Sequence, residues 1–351
     1  MGDQKLRVGI LGASGYTGAE LVRLLLRHPR VEIAALTADR KAGQLMADVF
    51  GQFAGVDLPR LTTIAEIDLG GLDLVFCGLP HGTTQTVIAD LLVRKPSLKI
   101  VDLSADFRLA DAAAYAHWYG HPHQALELQA EAVFGIPEHH RERIRTARLV
   151  ANPGCHSSTA ILAAVPLLRA GVIDPDDIAI VSTTGMSGAG RAAKEEMLFS
   201  EVSEGLHAYG VGSHRHTAEL DQEFSAAAGR PVQPTFTAQL APMNRGIYSM
   251  IFVKPAGGAS PKDLHAALDK AYAGEPFMRV LPFGKAPHSR HVRGSNMAQL
   301  GVVADRRPGR ALVMSTTDNL VKGASGSAVQ NMNLIAGFPE TEGLLQLALF
   351  P

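Results

Sequence analysis

The stretch LRVGILGASGYTGAELVRLLLRHP, residues 6–29, decides the fold of this chain. Its first part, LRVGILG (6–12), is an apolar strand-like run that ends in glycine. Its last part, GAELVRLLLRHP (18–29), has the apolar spacing of a helix and is closed by a proline. Three further strand-like segments follow, namely VEIAALTA (31–38), LDLVFCGLP (72–80) and LKIVDLSADF (98–107). With a helical segment at 81–94, this alternation predicts an α/β domain of the Rossmann type, built on a doubly wound parallel sheet.

The pattern of predicted strands and helices is different after residue 155. STAILAAVPLLRAGVI (158–173) is typical of a helix, and IAIVSTTGMSGAG (178–190) of a strand that runs into a glycine-rich turn. Four more strand-like segments are PTFTAQLAPM (234–243), GIYSMIFVKPA (246–256), MAQLGVVADRR (297–307) and RALVMSTTD (310–318). Their spacing predicts an antiparallel or mixed sheet in an α+β domain.

Two helices complete the prediction. The segment 260–274 has Ser260 as N-cap and Pro261 at the first helical position, and the segment 325–339 is helical again. We therefore expect a dinucleotide-binding domain over 1–151 and 319–351, with the last helix returning to it. A catalytic and oligomerisation domain then covers 152–318.

Composition limits the classes of function. The 351 residues carry 33 basic and 34 acidic side chains, which leaves no electrostatic case for nucleic acid or an anionic membrane. The apolar runs are shorter than the roughly 20 residues that span a bilayer, and the N-terminus lacks the pattern of a signal peptide. We expect a cytoplasmic homo-oligomer with reduced Cys77 and Cys155, and no metal site, because no CxxC or paired Cys/His spacing is present.

GASGYTG (12–18) lies at the first strand-to-helix turn. Glycine there permits a tight turn and the approach of a pyrophosphate to the helix N-terminus. The spacing is G-x-x-G-x-x-G, so it only approximates the usual G-x-G-x-x-G, and a plain turn of small residues is the alternative. The predicted cofactor-binding residues of this turn are Gly12, Ser14, Gly15, Tyr16, Thr17 and Gly18.

The end of the second strand, LTADRKAG, indicates which nicotinamide cofactor is bound. NAD sites usually place an acidic residue here to hold the ribose hydroxyls, whereas NADP sites offer hydroxyl and cationic groups to the 2′-phosphate. Thr37, Arg40 and Lys41 fit the second pattern, although Asp39 lies among them. The sequence therefore favours NADP over NAD.

Cys155 lies in NPGCHSST (152–159), at a turn that opens a helix. Unpaired N–H groups and the helix dipole lower the pKa of a thiol there, which favours a nucleophile. The base is expected in SHRHTAELDQEF (213–224), where Ser213 would cap a helix and His216 and Glu219 stand at i, i+3. His156 is adjacent to the thiol in sequence but is expected to point away.

Three other features complete the set of candidates. GMSGAGR (185–191) is a second glycine-rich turn after a strand. Arg108 follows the fourth strand, where a guanidinium would grip a substrate carboxylate or phosphate, or else pair with Asp102 or Asp106. Cys77 lies within a strand and is expected to be structural.

Seven motifs together resemble the N-acetyl-γ-glutamyl-phosphate reductase family of arginine biosynthesis (type 1), a relative of aspartate-semialdehyde dehydrogenase. They are GASGYTGAEL, DLSADFRL, NPGCHSST, GMSGAGR, SHRHTAEL, APMNRGI and DNLVKGASGSAVQNMN, and they span residues 9–333. Ala218 and Val321 depart from the family's usual proline and glycine. The resemblance implies an NADP domain followed by a catalytic domain like that of glyceraldehyde-3-phosphate dehydrogenase.

The resemblance also implies residue roles. Cys155 carries the acyl group, Ser187 and Gly188 lie by the cofactor, and Asn319 lies near the nicotinamide. The base belongs to the HRH segment, where His216 is preferred to His214 because of its partner Glu219. We also expect Arg108, Asn152 and Ser157 to bind the substrate.

The expected reaction is NADPH-dependent reduction of N-acetyl-γ-glutamyl phosphate to N-acetylglutamate 5-semialdehyde, with release of phosphate and through a Cys155 thioester. Three alternatives stay open at this point. They are the same chemistry on the aminoadipyl-phosphate homologue of lysine biosynthesis, an aspartate-semialdehyde dehydrogenase, and a non-catalytic NADP-binding regulator.

Overall fold

The computed structural model of the protein describes residues 5–350, and its chain forms two compact units. The first unit comprises the described residues up to Pro153 together with Ala324–Leu345, and the second comprises Gly154–Gly323 with the described residues from Gln346 onward. Residues 319–323 and the end of the tail thus belong to the second unit, whereas the sequence prediction assigned them to the first. Residues 1–4 and 351, which the predicted bounds include, lie outside the described range.

A seven-stranded parallel sheet forms the centre of the first unit. Its strands are β1 (Leu6–Leu11), β2 (Val31–Thr37), β3 (Leu61–Thr62), β4 (Leu74–Cys77), β5 (Lys99–Asp102), β6 (Val133–Phe134) and β7 (Leu149–Ala151). Their order is β3-β2-β1-β4-β5-β7-β6, and every pairing is parallel. The predicted doubly wound sheet is confirmed, and its order reverses between β1 and β4, the place where such sheets bind ligands.

Helices flank this sheet. They are α1 (Tyr16–Leu25), α2 (Met46–Val49), α3 (Thr84–Arg94), α4 (Ala112–Tyr119), α5 (Leu126–Glu131) and α6 (Pro137–Thr146). Helix α1 begins at Tyr16 and ends at Leu25, whereas the sequence predicted a helical segment from Gly18 that is closed by Pro29. The strands are nearly continuous apolar runs since both faces of a parallel sheet are covered.

The second unit contains a mixed seven-stranded sheet and four helices. Their ranges are α7 (Cys155–Arg169), β8 (Ile173–Gly185), α8 (Phe199–Val202), β9 (His207–Tyr209), α9 (His216–Ala228), β10 (Thr235–Ala241), β11 (Ile247–Pro255), α10 (Pro261–Ala271), β12 (Met278–Val280), β13 (Ala298–Ala304) and β14 (Ala311–Thr317). The strand order is β12-β13-β14-β11-β8-β10-β9. The β8–β10 and β12–β13 pairs are parallel and the others antiparallel, so the predicted mixed sheet is confirmed.

Helix α7 is the central helix of the second unit. It packs on β8, β11 and β14 and also contacts α9 and α10, so its side chains are buried from His156 to Leu168. A helix fixed along its whole length holds its first residue, Cys155, in one place. The remaining helix, α11 (Gly326–Ala336), packs on α1, α6 and β5 within the first unit. No helix in the described range has both the length and the apolarity to cross a bilayer.

Candidate active site

The two thiols of the chain have different surroundings. Cys155 is the first residue of α7, directly after the N-cap Gly154, and is partly exposed. Cys77 ends β4 and is fully buried, and this burial raises the pKa of its thiol well above the usual range. Neither cysteine is in a disulfide. Only Cys155 is therefore placed for chemistry.

Gly154 lets an imidazole approach the backbone beside the thiol. Its dihedral angles, φ −69° and ψ 152°, suit any residue, so conformation does not require glycine here. Space does, because a Cβ at this position would lie 2.3 Å from Nε2 of His216. The ring of His216 thus packs against the residue that precedes Cys155, which fits its predicted role as the acid/base.

Glu219 also holds the turn that contains Gly154. Its carboxylate is fully buried, and its Oε2 accepts hydrogen bonds from the Gly154 N–H (2.9 Å) and the Ser157 hydroxyl (2.6 Å). Hydrogen bonds to a buried charge are strong and directional. Glu219 therefore holds the turn that carries Cys155. Orientation of His216 by Glu219, and contact of the buried Ser157 with substrate, remain predictions.

The predicted capping role of Ser213 is wrong. Helix α9 begins at His216, its N-cap is Arg215, and no side chain caps it there. Instead the His216 N–H donates to Nδ1 of His214 at 3.2 Å, so an imidazole takes up an N–H group of the helix end. Burial lowers the pKa of His214. The charge of Glu219 opposes this effect, and the charge of Arg215 adds to it.

His156 belongs to this site, although the sequence placed it away from the reaction. Its ring centroid lies 5.4 Å from that of His214 and 5.7 Å from that of His216, and the side chain is buried. Its Nδ1 is 2.7 Å from the Ser182 hydroxyl and its Nε2 is 2.8 Å from the Tyr209 hydroxyl. Burial, followed by the charges of His216 and His214, lowers its pKa well below the usual range. Sequence adjacency carried no signal of these contacts.

Asn319 joins two turns of the second unit. Its Nδ2 donates to the Ser187 hydroxyl (3.0 Å), and its Oδ1 accepts from the Gly246 N–H (2.8 Å). A Cβ on Gly188 would lie 3.8 Å from the same Nδ2, so Gly188 borders the Asn319 amide. The glycine-rich turn after β8 is thus fixed to the turn before β11. Whether Ser187, Gly188 and Asn319 contact a cofactor remains a prediction.

Gly323, in a π-helical turn over Val321–Ser325, packs against Cys155. A Cβ on Gly323 would lie 2.9 Å from Cβ of Cys155, and the Gly323 N–H donates to the Asp318 carbonyl (2.9 Å). The buried Asp318 carboxylate in turn accepts from the Gly294 N–H (2.6 Å) and lies 3.3 Å from Nε of Arg245. Sequence reasoning missed these contacts, although single-turn π-helices occur frequently at functional sites.

The turn Gly12–Gly18 of the first unit is built from close backbone contacts. Gly12 has φ +77°, and a Cβ there would lie 2.4 Å from the Gly78 carbonyl oxygen. A Cβ on Gly18 would lie 2.6 Å from the Gly12 oxygen. Gly15 is the N-cap of α1 and no side chain caps this helix, while Ser14, Tyr16 and Thr17 complete the turn. An uncapped helix N-terminus at the switch point fits a pyrophosphate.

The segment after β2 presents positive charge. Arg40 and Lys41 are exposed in a short 3₁₀ turn, and the Asp39 carboxylate accepts the Ile64 N–H at 3.1 Å. Asp39 is thus engaged within the fold, which suits a phosphate better than ribose hydroxyls. Thr37 is fully buried, and among the described residues no hydrogen-bond partner reaches its hydroxyl.

Arg108 and Asn152 lie inside the first unit. The Arg108 guanidinium is buried and donates to the carbonyls of Asn152 (2.8 Å) and Leu103 (2.9 Å). The Asn152 amide donates to the Ala324 carbonyl (3.1 Å) and accepts from Asn331 (3.1 Å). Both side chains therefore hold backbone in place, and their contact with substrate remains a prediction.

Two carboxyls near Arg108 have shifted pKa values. Burial raises the pKa of Asp102 to about 7 against the hydrogen bonds from Ser104. Burial also opposes ionisation of Asp106, but the hydrogen bonds from Thr84, Gly82 and Tyr115 outweigh it and lower the pKa. Within residues 5–350, no group of three or more His, Cys, Asp or Glu side chains is arranged to hold a metal ion.

Each of the two units matches a known family of protein domains. Residues 7–147 match the model described as "Semialdehyde dehydrogenase, NAD binding domain", and residues 155–319 match "Semialdehyde dehydrogenase, dimerisation domain". Proteins named N-acetyl-gamma-glutamyl-phosphate reductase match over nearly their whole length. The one from Afipia carboxidovorans is 64% identical and covers 99% of each chain, and the one from Rhodospirillum rubrum is 60% identical and covers 99% of this chain and 100% of its own.

Solved structures show the same fold at low identity. Aspartate semialdehyde dehydrogenase II from Vibrio cholerae matches with a TM-score of 0.71 at 16% identity, over 95% of this chain and 99% of its own. Aspartate semialdehyde dehydrogenase with NADP from Candida albicans matches with a TM-score of 0.67 at 18% identity, over 95% and 99%. The predicted pairing of a nucleotide-binding domain with a semialdehyde-dehydrogenase-type second domain is confirmed.

Proposed function

The chain belongs to the N-acetyl-gamma-glutamyl-phosphate reductases of the semialdehyde dehydrogenase family, and we propose that it makes N-acetylglutamate 5-semialdehyde for arginine biosynthesis. Its substrate is N-acetyl-γ-glutamyl phosphate, its reductant is NADPH and its second product is inorganic phosphate. The observation that carries this proposal is the partly exposed thiol of Cys155 at the start of α7, with the His216 ring packed against the preceding glycine.

The thiolate of Cys155 is the nucleophile. Its sulfur attacks the γ-acyl carbon, a C–S bond forms, the C–O bond to phosphate breaks, and phosphate leaves with the electron pair. When bound, NADPH supplies the hydride that reduces the resulting thioester to a thiohemiacetal on Cys155. Breaking the C–S bond then releases the semialdehyde and restores the thiolate. The backbone N–H groups at the start of α7 stabilise the oxyanion at the acyl carbon.

His216 transfers the proton in this scheme. His216 takes the proton of the Cys155 thiol, gives it to the oxyanion that hydride addition forms, and takes it back as the C–S bond breaks. The ring of His216 lies against Gly154, one residue from the sulfur. His214 is less suited, because its Nδ1 accepts the His216 N–H and its pKa is lowered. Glu219 supports Cys155 and His216, because its carboxylate accepts the Gly154 N–H and so holds the turn that both residues contact.

Three glycines and the N-terminus of α1 hold the cofactor's pyrophosphate in this proposal. Gly12 and Gly18 make room for backbone, and Gly15 leaves the helix end uncapped. Arg40, with Thr37 at the end of the preceding strand, favours the 2′-phosphate of NADP, since the Asp39 carboxylate is bound to the Ile64 N–H. Ser187, Gly188 and Asn319 are the cofactor-side residues that we propose in the second unit.

The substrate side is proposed to involve Arg108, Asn152 and Ser157. The structure supports an indirect contribution, because Arg108 and Asn152 fix backbone near Pro153 and Ser157 fixes the Gly154 turn through Glu219. Substitution of any of them should then lower kcat more than it raises KM for the acyl phosphate.

The enzyme is proposed to form a homodimer or homotetramer through the outer face of the second sheet. Along β11, Ile247, Ser249 and Ile251 are buried, whereas Tyr248, Met250 and Phe252 alternate with them and stay partly exposed. A dimerisation domain matches this unit. Sedimentation equilibrium of Met250→Asp should show dissociation relative to the parent protein, while a chain that is monomeric from the outset would contradict the proposal.

The proposed reaction runs in the cytoplasm, and its reverse is the direct test. Purified enzyme should reduce NADP⁺ with phosphate and N-acetylglutamate semialdehyde, measured as NADPH absorbance, and Cys155→Ser should abolish this. Turnover only with aspartate semialdehyde or with the aminoadipate homologue would replace the substrate. Tight NADP binding without any turnover would favour a non-catalytic regulator.

A further inference from the structure

A chain of buried hydrogen bonds ends beside the reactive turn. The hydroxyls of Ser249 and Ser182, on the paired strands β11 and β8, lie 2.7 Å apart. Ser182 is 2.7 Å from Nδ1 of His156, and Nε2 of His156 is 2.8 Å from the Tyr209 hydroxyl. The two serines and His156 are buried, whereas Tyr209 is partly exposed. The reaction scheme above uses none of these four side chains.

The position of the chain relates it to the thiol. His156 follows Cys155 on the first turn of α7, and the ring of Tyr209 lies 5.2 Å from that of His214. Cys155 also acts electrostatically on the Tyr209 phenol. Burial, and then the charge of Cys155, raise the pKa of Tyr209 above the usual value. Tyr209 therefore stays protonated and is a hydrogen-bond donor at the reactive turn.

The hydrogen bonds from Ser249 to Tyr209 can all run in one direction. Burial lowers the pKa of His156, and a neutral imidazole has one N–H and one acceptor nitrogen. If Nε2 donates to the Tyr209 oxygen, Nδ1 accepts from Ser182, and Ser182 accepts from Ser249. The phenol O–H is then available to a group outside the chain. Buried polar networks that are fully satisfied hold their members in one arrangement.

We propose that His156 is a positioning residue that holds the Tyr209 hydroxyl toward Cys155, so that the phenol donates a hydrogen bond to the thiolate. Every donor in the chain then acts in the same direction, from Ser249 to the sulfur. This inference rests on the proposed nucleophilic role of Cys155. It adds a group that increases the fraction of Cys155 present as thiolate before substrate binds.

The test measures the thiol directly. The full-length protein, without substrate or cofactor, is alkylated with iodoacetamide across pH 6–10, and the pH midpoint of the inactivation rate is determined. The buried Cys77 does not compete, and mass spectrometry of Cys155→Ser under the same conditions gives the blank for alkylation at other residues. Hydrogen bonds to charged groups have a strength that corresponds to about one pH unit. We therefore expect Tyr209→Phe to raise the midpoint by about one unit.

Two substitutions at His156 separate positioning from packing. The amide of Asn reaches the position of Nδ1 and keeps the contact with Ser182, whereas the amide of Gln reaches the position of Nε2 and keeps the contact with Tyr209. We expect His156→Asn to raise the midpoint as much as Tyr209→Phe, and His156→Gln to raise it less. The double variant His156→Asn/Tyr209→Phe should shift no further than Tyr209→Phe, because His156 acts through the phenol.

A matched control uses another tyrosine that contacts α7. The Tyr272 hydroxyl donates to the Leu162 carbonyl in the middle of this helix, so Tyr272→Phe removes the same group without touching the thiol. We expect its midpoint to match that of the parent protein. Unchanged midpoints in Tyr209→Phe and His156→Asn, additive shifts in the double variant, or an equal shift in Tyr272→Phe would each overturn the proposal. Activity remaining in Cys155→Ser would instead contradict the proposed reaction and leave these midpoints unaffected.

Discussion

The turn before α1 and the turn before α7 are both glycine-containing junctions between a strand and a helix, yet different groups fill them. Before α1, the glycines admit backbone, since Gly12 approaches the Gly78 carbonyl and Gly18 approaches Gly12. Before α7, Gly154 admits the imidazole of His216, and its N–H is taken by Glu219. Neither helix has a side-chain cap, but the first junction is packed by backbone and the second by the side chains of His216 and Glu219.

This difference shows what a glycine signals. At both junctions it marks a close approach. At Gly12 and Gly154 the approaching group comes from a distant part of the chain, so the local motif cannot identify it. One junction is suited to bind a phosphate and the other to activate a nucleophile. Substitutions that fill the two spaces should therefore have different consequences.

The largest effect is expected for Gly154→Ala. The new Cβ would lie 2.3 Å from the His216 ring, so the ring or the turn must move, and displacement of about 1 Å in a catalytic group can lower rates about 100-fold. Overpacking should also lower the free energy of unfolding by about 1–3 kcal/mol. Steady-state kinetics and urea unfolding measure both. A kcat close to that of the parent protein would show that the contact with His216 is not needed.

Glu219→Gln should have the next largest effect. The amide oxygen can still accept from the Gly154 N–H, but the bond loses its charge and about 1–2 kcal/mol of strength. We expect kcat to fall about tenfold with KM for NADPH unchanged. Glu223→Gln is the control, because Glu223 is also a buried carboxylate on α9, one turn further along. Equal losses in the two variants would indicate a general effect on α9.

Much of this comparison follows from sequence, and the exceptions have physical causes. Strand periodicity and turn glycines predict the doubly wound sheet, the mixed sheet and the position of Cys155 at a helix start. Strands β3, β6 and β7 have only two or three residues, so neighbouring strands rather than periodicity define them. The assignment of Ser213 as a cap failed because the His214 imidazole accepts the N–H at that helix end.

The role of His156 was missed for a related reason. Its partners Ser182 and Tyr209 lie 26 and 53 residues away in sequence. The packing of α7 on β8 brings Ser182 to the ring, and β9, in the same sheet, brings Tyr209. The contact of Glu219 with Gly154, 65 residues away, could not be predicted either. Residue types and local spacing therefore predicted candidates for the reacting groups, whereas their supporting contacts required the fold.

A smaller effect is expected at the cofactor end of the first junction. Arg40 is exposed beyond β2 and, in the proposed function, meets the 2′-phosphate of NADP. Arg40→Ala should raise KM for NADPH about tenfold, which corresponds to about 1.4 kcal/mol of binding energy. The rate with NADH is the internal control, since this cofactor lacks the phosphate, and it should not change. Equal losses with both cofactors would assign Arg40 to the fold rather than to the phosphate.

Gly15→Ala should have the smallest effect on stability and gives the sharpest separation of packing from binding. A Cβ there would meet only the Gly12 oxygen, at 3.5 Å, an ordinary contact, and its φ of −84° suits alanine. We expect the free energy of unfolding to change by less than about 1 kcal/mol. Gly18→Ala, whose Cβ would lie 2.6 Å from the same oxygen, should lose about 1–3 kcal/mol. If Gly15 is glycine because a pyrophosphate approaches it, Gly15→Ala should still raise the Kd of NADPH severalfold by calorimetry. An unchanged Kd would show that no pyrophosphate approaches Gly15, and the glycines of the first junction would then serve only the fold.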